Sequence, residues 1–464
     1  MAEQKQYDFI VIGSGSSGAV AAYWLQQGGA KVLMLEAGVH YRTPDFPMPE
    51  HRYSSRLFWG GGVEYNTRCN LFFLRARCVG GTSIVNGALM DRFDDVALDD
   101  WKTASGIDYF SEAALDEHYT VAEQNIALEM IPDEQRNNNA LSFIRGMENI
   151  GRVWKPIRRC QNNCGIEEGN DCIACLGGCH RGSKQSMLVT YIPRAQHLGL
   201  ELISQFHVDR LDYHPEGVTV HGGENGNARS FKAPKVVLAC GALGNTQLLL
   251  RSGFKPQLPA LGTRFCMHPQ YMNFALFKDP VDAHKGVLQG AKSLDPEFRR
   301  QGFKLENVFA PPISVAILFR KVGRDLHEFM RQYRHMASIE VCVRDEATGR
   351  IDIDRNGKLR VHKELTGQDR QRAENGRDAV HRLFASLQPE AIVHSPFYFG
   401  LHLMGGCPIG TDGTTSVVNP EFQVHNHAHL HTADSSVFPN APGINPALTI
   451  MALSHKMAMG LLRT

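Results

Sequence analysis

The segment Gly13-Ser-Gly15-Ser-Ser-Gly18 is the first place where residue type and spacing imply a chemistry. Three glycines so spaced, between an apolar strand and an alanine-rich helix, serve three ends. The first permits a tight turn, the second lets the backbone approach a pyrophosphate, and the third lets helix pack on strand. The helix that starts there, with Ser16 and Ser17 beside the last glycine, presents free N–H groups and a positive dipole end. Glu36, followed by Ala37, ends the next strand, where a carboxylate accepts hydrogen bonds from a ribose and disfavours a 2′-phosphate. In this context the motif predicts a bound dinucleotide. Alone it does not separate FAD from NAD, and the bland alternative is an ordinary glycine turn.

Two further groups invite a metal. Cys160, Cys164, Cys172, Cys175 and Cys179 are five of the eleven cysteines. Thiolates at CxxCxxxC spacing can hold an iron–sulfur cluster or zinc, but spacing alone does not choose the metal, and this one departs from ferredoxin patterns. One reading is a cluster that relays electrons onward. The other is a structural knot held by packing, zinc or disulfides. Both stay open. His425, His427, His429 and His431 alternate along an apparent strand and so share a face. No cysteine or carboxylate lies among them, and they are read as strand residues.

These residues need a scaffold. Residues 7–12, 18–27 and 31–36 read as a βαβ unit with a right-handed crossover. Residues 53–90 are loop-like, 111–128 and 138–150 helical, 160–182 irregular, 200–240 strand-rich and 243–251 helical. From about 266 the texture changes. Residues 271–278, 313–319 and 337–344 read as strands, and 350–361 as a hairpin whose Asn356-Gly357 suits a type I′ turn. Residues 367–387 form an amphipathic helix. Asn445-Pro446 reads as a helix start, asparagine as N-cap and proline as first helical residue, with 447–462 following.

The chain has 464 residues and a formal net charge of +1, so nothing global draws it to nucleic acid or an anionic membrane. It lacks a signal-peptide pattern and any run of about 18 apolar residues, which points to a cytoplasmic protein without a transmembrane segment.

Four more segments complete a pattern: Arg77-Cys-Val-Gly-Gly-Thr-Ser-Ile-Val-Asn86, Leu238-Ala-Cys-Gly-Ala-Leu-Gly-Asn245, His402-Leu-Met-Gly-Gly-Cys-Pro408, and Ala433-Asp-Ser with Gly443-Ile-Asn-Pro-Ala447. With the fingerprint, in this order, they resemble the glucose–methanol–choline (GMC) family of FAD-dependent oxidoreductases over nearly the whole chain. The resemblance implies an α/β fold, α+β overall. A Rossmann-like FAD domain would span 1–265 and 398–464, with the cysteine segment inserted. An antiparallel-sheet substrate domain would span 266–397.

The resemblance also assigns residues. Gly80, Gly81, Thr82 and Ser83 would lie along the pyrophosphate and flavin, with Asn86 near the ring. Val208 would meet adenine, Gly241 and Ala242 form a second nucleotide-side turn, and Asp434 lie near the ribityl region. Family members with covalent flavin carry a histidine before the glycine pair. Here that stretch is Leu74-Arg-Ala-Arg-Cys78, so non-covalent FAD is implied.

His402 and Asn445 match the family's catalytic pair. The histidine would take the hydroxyl proton as a hydride leaves the carbinol carbon, and the asparagine would fix the same oxygen. Asn445 and Pro446 would also aim the positive end of the last helix at the reduced ring. The cysteine segment with Gly182-Ser-Lys184 resembles a subset of bacterial alcohol, sterol and sugar dehydrogenases. The expected substrate is an alcohol in an apolar pocket, signalled by Phe397, Tyr398, Phe399 and Met404. The acceptor would be oxygen, a quinone or a cytochrome, and a partner subunit could complete the short 266–397 block. The alternatives are lyase or isomerase chemistry on the same fold, or an electron-transfer subunit of a larger complex.

Overall fold

Phe9–Ile12 is four buried apolar residues, paired in parallel with Val32–Leu35 on one side and Lys235–Leu238 on the other. Strands buried on both faces read as continuous hydrophobic runs rather than alternating ones. The computed structural model, which describes residues 5–165, 174–224 and 227–463, extends this pair into a six-stranded sheet. Its order is Gln423–Val424, His427–His431, Lys235–Leu238, Phe9–Ile12, Val32–Leu35, Glu201–Ile203, all parallel except the first strand. The helix Ser16–Gln27 follows the fingerprint and lies against the C-terminal helix Ala447–Leu461, where Ser454 Oγ donates to Ser17 Oγ at 2.8 Å.

A nine-stranded sheet forms the second layer. Its centre is Cys266–Leu276, eleven residues all buried, antiparallel to Met336–Val343 and to Tyr398–Met404. Phe303–Asn307 pairs with the far side of Met336–Val343. The edges come from outside the 266–397 block: Glu64–Tyr65 and Leu71–Phe73 at one end, Trp154–Pro156 at the other. Side chains alternate across the sheet. Phe303, Leu305, Val341 and Tyr271 pack with Ala373 and Leu383 of the helix Gly367–Ala385 in one apolar cluster. The residues between them, such as Gln270, Met272, Glu306 and Glu340, turn to the opposite face and line a cavity.

Three local expectations change. Residues 313–319 are not a strand. Pro312 opens a short helix, Pro312–Ile317, and the Glu50 carboxylate accepts the Ile313 N–H at 2.8 Å and the Ser314 N–H at 2.7 Å. Proline at the start of a helix and a carboxylate on its first N–H groups override β-branched propensity. The 350–361 hairpin does not use a type I′ turn. The Gly357 N–H donates to Asp354 O at 2.8 Å, and Gly357 alone carries positive φ, +75°. Asp354 Oδ1 accepts the N–H groups of Asn356 and Lys358, which favours a five-residue loop. Within 53–90, read as loop, stand the end of the helix Glu50–Leu57 and two short strands. Among the described residues no helix is long and apolar enough to cross a membrane.

Candidate active site

Where the parallel strands end, facing the second sheet, lies a cavity of about 660 Å³. Every residue that the sequence assigns to a cofactor lines it except Gly18 and Gly80, and so does His402. The two exceptions act from behind the wall. A Cβ at Gly18 would run into the Gly13 carbonyl, so glycine there lets helix approach strand. Gly80 adopts a left-handed φ of +93°, and its N–H donates to Ser14 Oγ at 3.0 Å.

The fingerprint turn has the geometry to accept an anion. Gly15 is the N-cap of Ser16–Gln27 and no side chain caps that helix, so its first N–H groups keep their donors. A Cβ at Gly15 would meet nothing within 4 Å, which leaves the approach open. Ser14, not singled out in the sequence, ties three segments together. It accepts from Gly80 and donates to Glu36 Oε2 at 2.6 Å, while its own N–H reaches the same oxygen at 3.0 Å. Glu36 Oε1 accepts the Gly38 N–H at 2.7 Å. Burial pushes the Glu36 carboxyl up, and these hydrogen bonds pull it back. A carboxylate has about four acceptor positions, and Glu36 uses three of them here.

Asp434 and Gly241 form one unit. Asp434 Oδ2 accepts the Gly241 N–H at 2.6 Å and Asn245 Nδ2 at 2.9 Å, while Oδ1 accepts the Ser436 N–H at 2.8 Å. Asn245, missed in the sequence, is fully buried and also accepts the Cys240 N–H at 2.9 Å. On the opposite wall Ser83 Oγ donates to Gly80 O and accepts the Met187 N–H, so it braces its own turn. Buried Lys184 donates to Ile84 O at 2.6 Å, Asn86 O at 3.0 Å and Cys175 O at 2.6 Å. It thereby fastens the cysteine segment to the 80–86 loop.

His402 lies where Tyr398–Met404 meets a bulge in the register of Cys266–Leu276, and it holds a φ of +54°. Bulges re-aim side chains beside active sites. Its Nδ1 lies 3.0 Å from Nδ1 of His268, whose Nε2 accepts the Gly443 N–H at 3.0 Å. A backbone N–H can only donate. Neutral His268 therefore carries its proton on Nδ1 and donates it to His402 Nδ1. A neutral His402 then carries its own proton on Nε2. Burial first, and the nearby Lys304 cation second, hold the His402 pKa down to about 3.

Asn445 does not cap the last helix with its side chain. The N-cap is Pro446, and Asn445 Oδ1 instead accepts from the Lys304 ammonium. Lys304 also donates to Glu306 Oε1 at 2.5 Å. With Oδ1 engaged, Asn445 presents its NH₂ donors on the other side. The helix N-terminus behind it is left without a side-chain cap, and Ala447 and Ile450 line the cavity. The wall is apolar at Phe399, Leu401 and Leu403, as expected near His402. Met404 is instead core, and Phe397 and Tyr398 lie off the wall.

Lys304, His268 and Glu340 escaped the sequence reading. They carry no motif, and only the register of three strands brings Glu340 to the cavity, Lys304 to Asn445 and His268 to His402. The one available signal was a run of charged residues at alternate positions in Phe303–Asn307.

The metal candidates do not converge. Cys172 lies outside the described residues. Cys160, Cys164, Cys175 and Cys179 gather near Lys184 and Arg159, with Arg159 donating to Cys175 Sγ at 3.6 Å and the Lys184 N–H to Cys179 Sγ at 3.5 Å. Among the described residues, no three of these thiols lie within 4.8 Å of one another. Burial pushes the Cys160 thiol up to about 11. The described residues do not fit an iron–sulfur cluster. The imidazoles of His425, His427, His429 and His431 have separate partners, at Ser416 Oγ and the carbonyls of His425, Pro215 and Ala428.

Sequence profiles of the GMC oxidoreductase family match residues 7–270 and 310–454. An uncharacterised GMC-type oxidoreductase of Sinorhizobium fredii is 26% identical over 98% of this chain and 94% of that protein. The long-chain-alcohol oxidase FAO4A of Arabidopsis thaliana is 25% identical over 97% of this chain and 68% of its own. The crystal structure of pyridoxine 4-oxidase from Mesorbium loti matches with a TM-score of 0.76 at 16% identity, over 98% of this chain and 99% of that one. At that identity the likeness is one of fold.

Proposed function

Because the chain belongs to the GMC oxidoreductase family, we propose that it oxidises an alcohol to an aldehyde or ketone with non-covalently held FAD. The observation that carries this reading is the meeting of His402 and Asn445 at one cavity, beside an uncapped helix N-terminus. Gly15 with the first turn of Ser16–Gln27 would hold the pyrophosphate, Glu36 a ribose, and the 80–86 loop the ring side. No histidine in Leu74–Cys78 offers a covalent link. Bound FAD supplies the two-electron acceptor for a hydride leaving the carbinol carbon.

The protein's own groups act on the oxygen. Asn445 donates to it, and the Lys304 charge behind that amide favours negative charge there. His402 takes the hydroxyl proton on Nε2 only in the tautomer that carries its proton on Nδ1. That tautomer removes the acceptor from the Gly443 N–H, at a cost of about 1–3 kcal/mol. The site as built thus stabilises the alkoxide more readily than it stores the proton.

The test is anaerobic bleaching of the flavin absorbance by an alcohol panel. Bleaching is expected with the parent and a loss of at least roughly 100-fold in rate with His402→Ala, the range of general acid–base catalysis. A lyase or isomerase would turn over substrate with its flavin unbleached. An electron-transfer subunit would bleach with no alcohol in the absence of a partner.

A further inference from the structure

Cys342 belongs to no motif, yet the sheet register brings it beside the histidine pair. It lies opposite Gln270 on Cys266–Leu276 and opposite Lys304 on Phe303–Asn307. His268 is two residues from Gln270 and shares its face. The Cys342 thiol therefore stands diagonally across from the His268 imidazole. His268 Nδ1, His402 Nδ1 and Cys342 Sγ all lie within 4.8 Å of one another, the only such trio of histidine, cysteine or carboxylate ligand atoms among the described residues. His268 and Cys342 are buried, and His402 lines the cavity. An ion reaches the trio from the cavity, past His402. Two imidazoles and a thiol, with no oxygen ligand, suit a borderline-soft ion and not calcium or magnesium. Tetrahedral zinc needs about 3.3 Å between two nitrogens and about 3.6 Å between nitrogen and sulfur. The nitrogens stand 3.0 Å apart. They must part by about 0.3 Å, and the sulfur must close by no more than about 1.2 Å.

We propose that His268, His402 and Cys342 form a zinc site whose occupation shuts the enzyme off. The site stands apart from the alcohol-oxidising reading, and the shut-off rests on it. On binding, the Cys342 sulfur–hydrogen bond breaks, a sulfur–zinc bond forms, and one proton leaves to solvent. Zinc takes the Nδ1 lone pair of His268, so the proton there moves to Nε2. The Gly443 N–H then loses its acceptor, which weakens binding roughly 5- to 150-fold. The Lys304 cation near His402 adds repulsion, and Glu306 and Glu340 near the thiol offset it. These costs make zinc a reversible inhibitor rather than a resident structural ion. With zinc on Nδ1, His402 keeps its proton on Nε2 and cannot accept a hydroxyl proton there.

The experiment titrates the FAD-loaded protein with zinc chloride and, separately, with cadmium chloride. Zinc is read by the anaerobic bleaching rate with alcohol, relative to the zinc-free rate of the same protein. Cadmium is read by the ultraviolet charge-transfer absorbance of a new thiolate–cadmium bond, which needs no turnover. Zinc should slow bleaching toward the rate of His402→Ala, and a chelator should restore it. Cys342→Ser should need more than about 100-fold more zinc for the same fractional inhibition, beyond the range for losing an outer hydrogen-bond partner of a metal ligand. It should also lack one thiolate–cadmium equivalent. Subtracting its spectrum from that of the parent removes any contribution from Cys160, Cys164, Cys175 and Cys179.

Equal inhibition of parent and Cys342→Ser, or equal cadmium spectra, overturns the site. If that variant does not fold, an anomalous difference map of zinc-soaked parent crystals decides. A peak bounded by His268, His402 and Cys342 supports the site, and zinc bound only elsewhere overturns it. A parent that no alcohol bleaches, but whose cadmium band depends on Cys342, would sink the oxidation reading and leave the site standing. Bleaching that zinc leaves unchanged would overturn the shut-off, whatever cadmium shows.

Discussion

Replacing Lys304 by methionine tests how the site holds charge on the substrate oxygen. Methionine keeps most of the length of the side chain and removes the ammonium that donates to Asn445 Oδ1 and to Glu306 Oε1. The amide at 445 then loses the group that fixes its orientation and the positive charge behind it. A hydrogen bond to a charged group contributes about 1.5–3 kcal/mol. If that is felt fully in the transition state, hydride transfer slows roughly 10- to 150-fold, at about 1.4 kcal/mol per decade. Lys304 does not line the cavity, so flavin content should stay near that of the parent. Breaking a buried ion pair by removing one partner ordinarily costs about 3–5 kcal/mol of stability. Here Glu306 can take up a proton beside Glu340, which brings the loss toward the lower end. The assay is stopped-flow reduction of the flavin by saturating alcohol under argon, with Lys304→Arg as the charge-retaining control. A Lys304→Met protein that reduces its flavin within twofold of the parent rate would refute the assignment of Lys304 to transition-state stabilisation.

Two other outcomes are expected. Asp434→Asn places an NH₂ group against one of two N–H donors, those of Gly241 and Ser436. It should lower the unfolding free energy by about 1–3 kcal/mol and reduce the flavin-to-protein absorbance ratio; unchanged values of both would show that the carboxylate is not needed there. His431 is buried, and burial holds its pKa down to about 4. The unfolded chain binds a proton there near pH 6.5 while the native protein stays neutral, so the contribution of His431 is present above about pH 6.5 and is lost as pH falls toward 4. Denaturant titrations should give a stability–pH slope that is shallower by up to one proton between those values in His431→Gln than in the parent. An identical slope would show that this histidine does not titrate on unfolding.

The sequence alone determined which residues form one wall of the cavity. Its signals are local: glycines whose positions demand tight turns or close approach, an acidic residue at a strand end, and short segments in fixed order. Such features depend on backbone conformation within a few residues, and they reappear in the fold with Gly13, Gly15, Glu36, Gly81, Gly241 and Asp434 around one cavity. Local signals misled where a neighbour distant in sequence intervened. Glu50 and a proline turned 313–319 into a helix, and Lys304 drew the Asn445 side chain away from its helix. Tertiary structure alone decided the groups gathered around His402 and Asn445. Lys304, Glu306, Glu340, His268 and Gln270 come from three strands whose chain positions give no hint of adjacency, and pairing register places them on one face. Register is a property of the assembled sheet, set by which apolar side chains meet the helix packed behind it, so the charges that tune this site become visible only once the strands are in place.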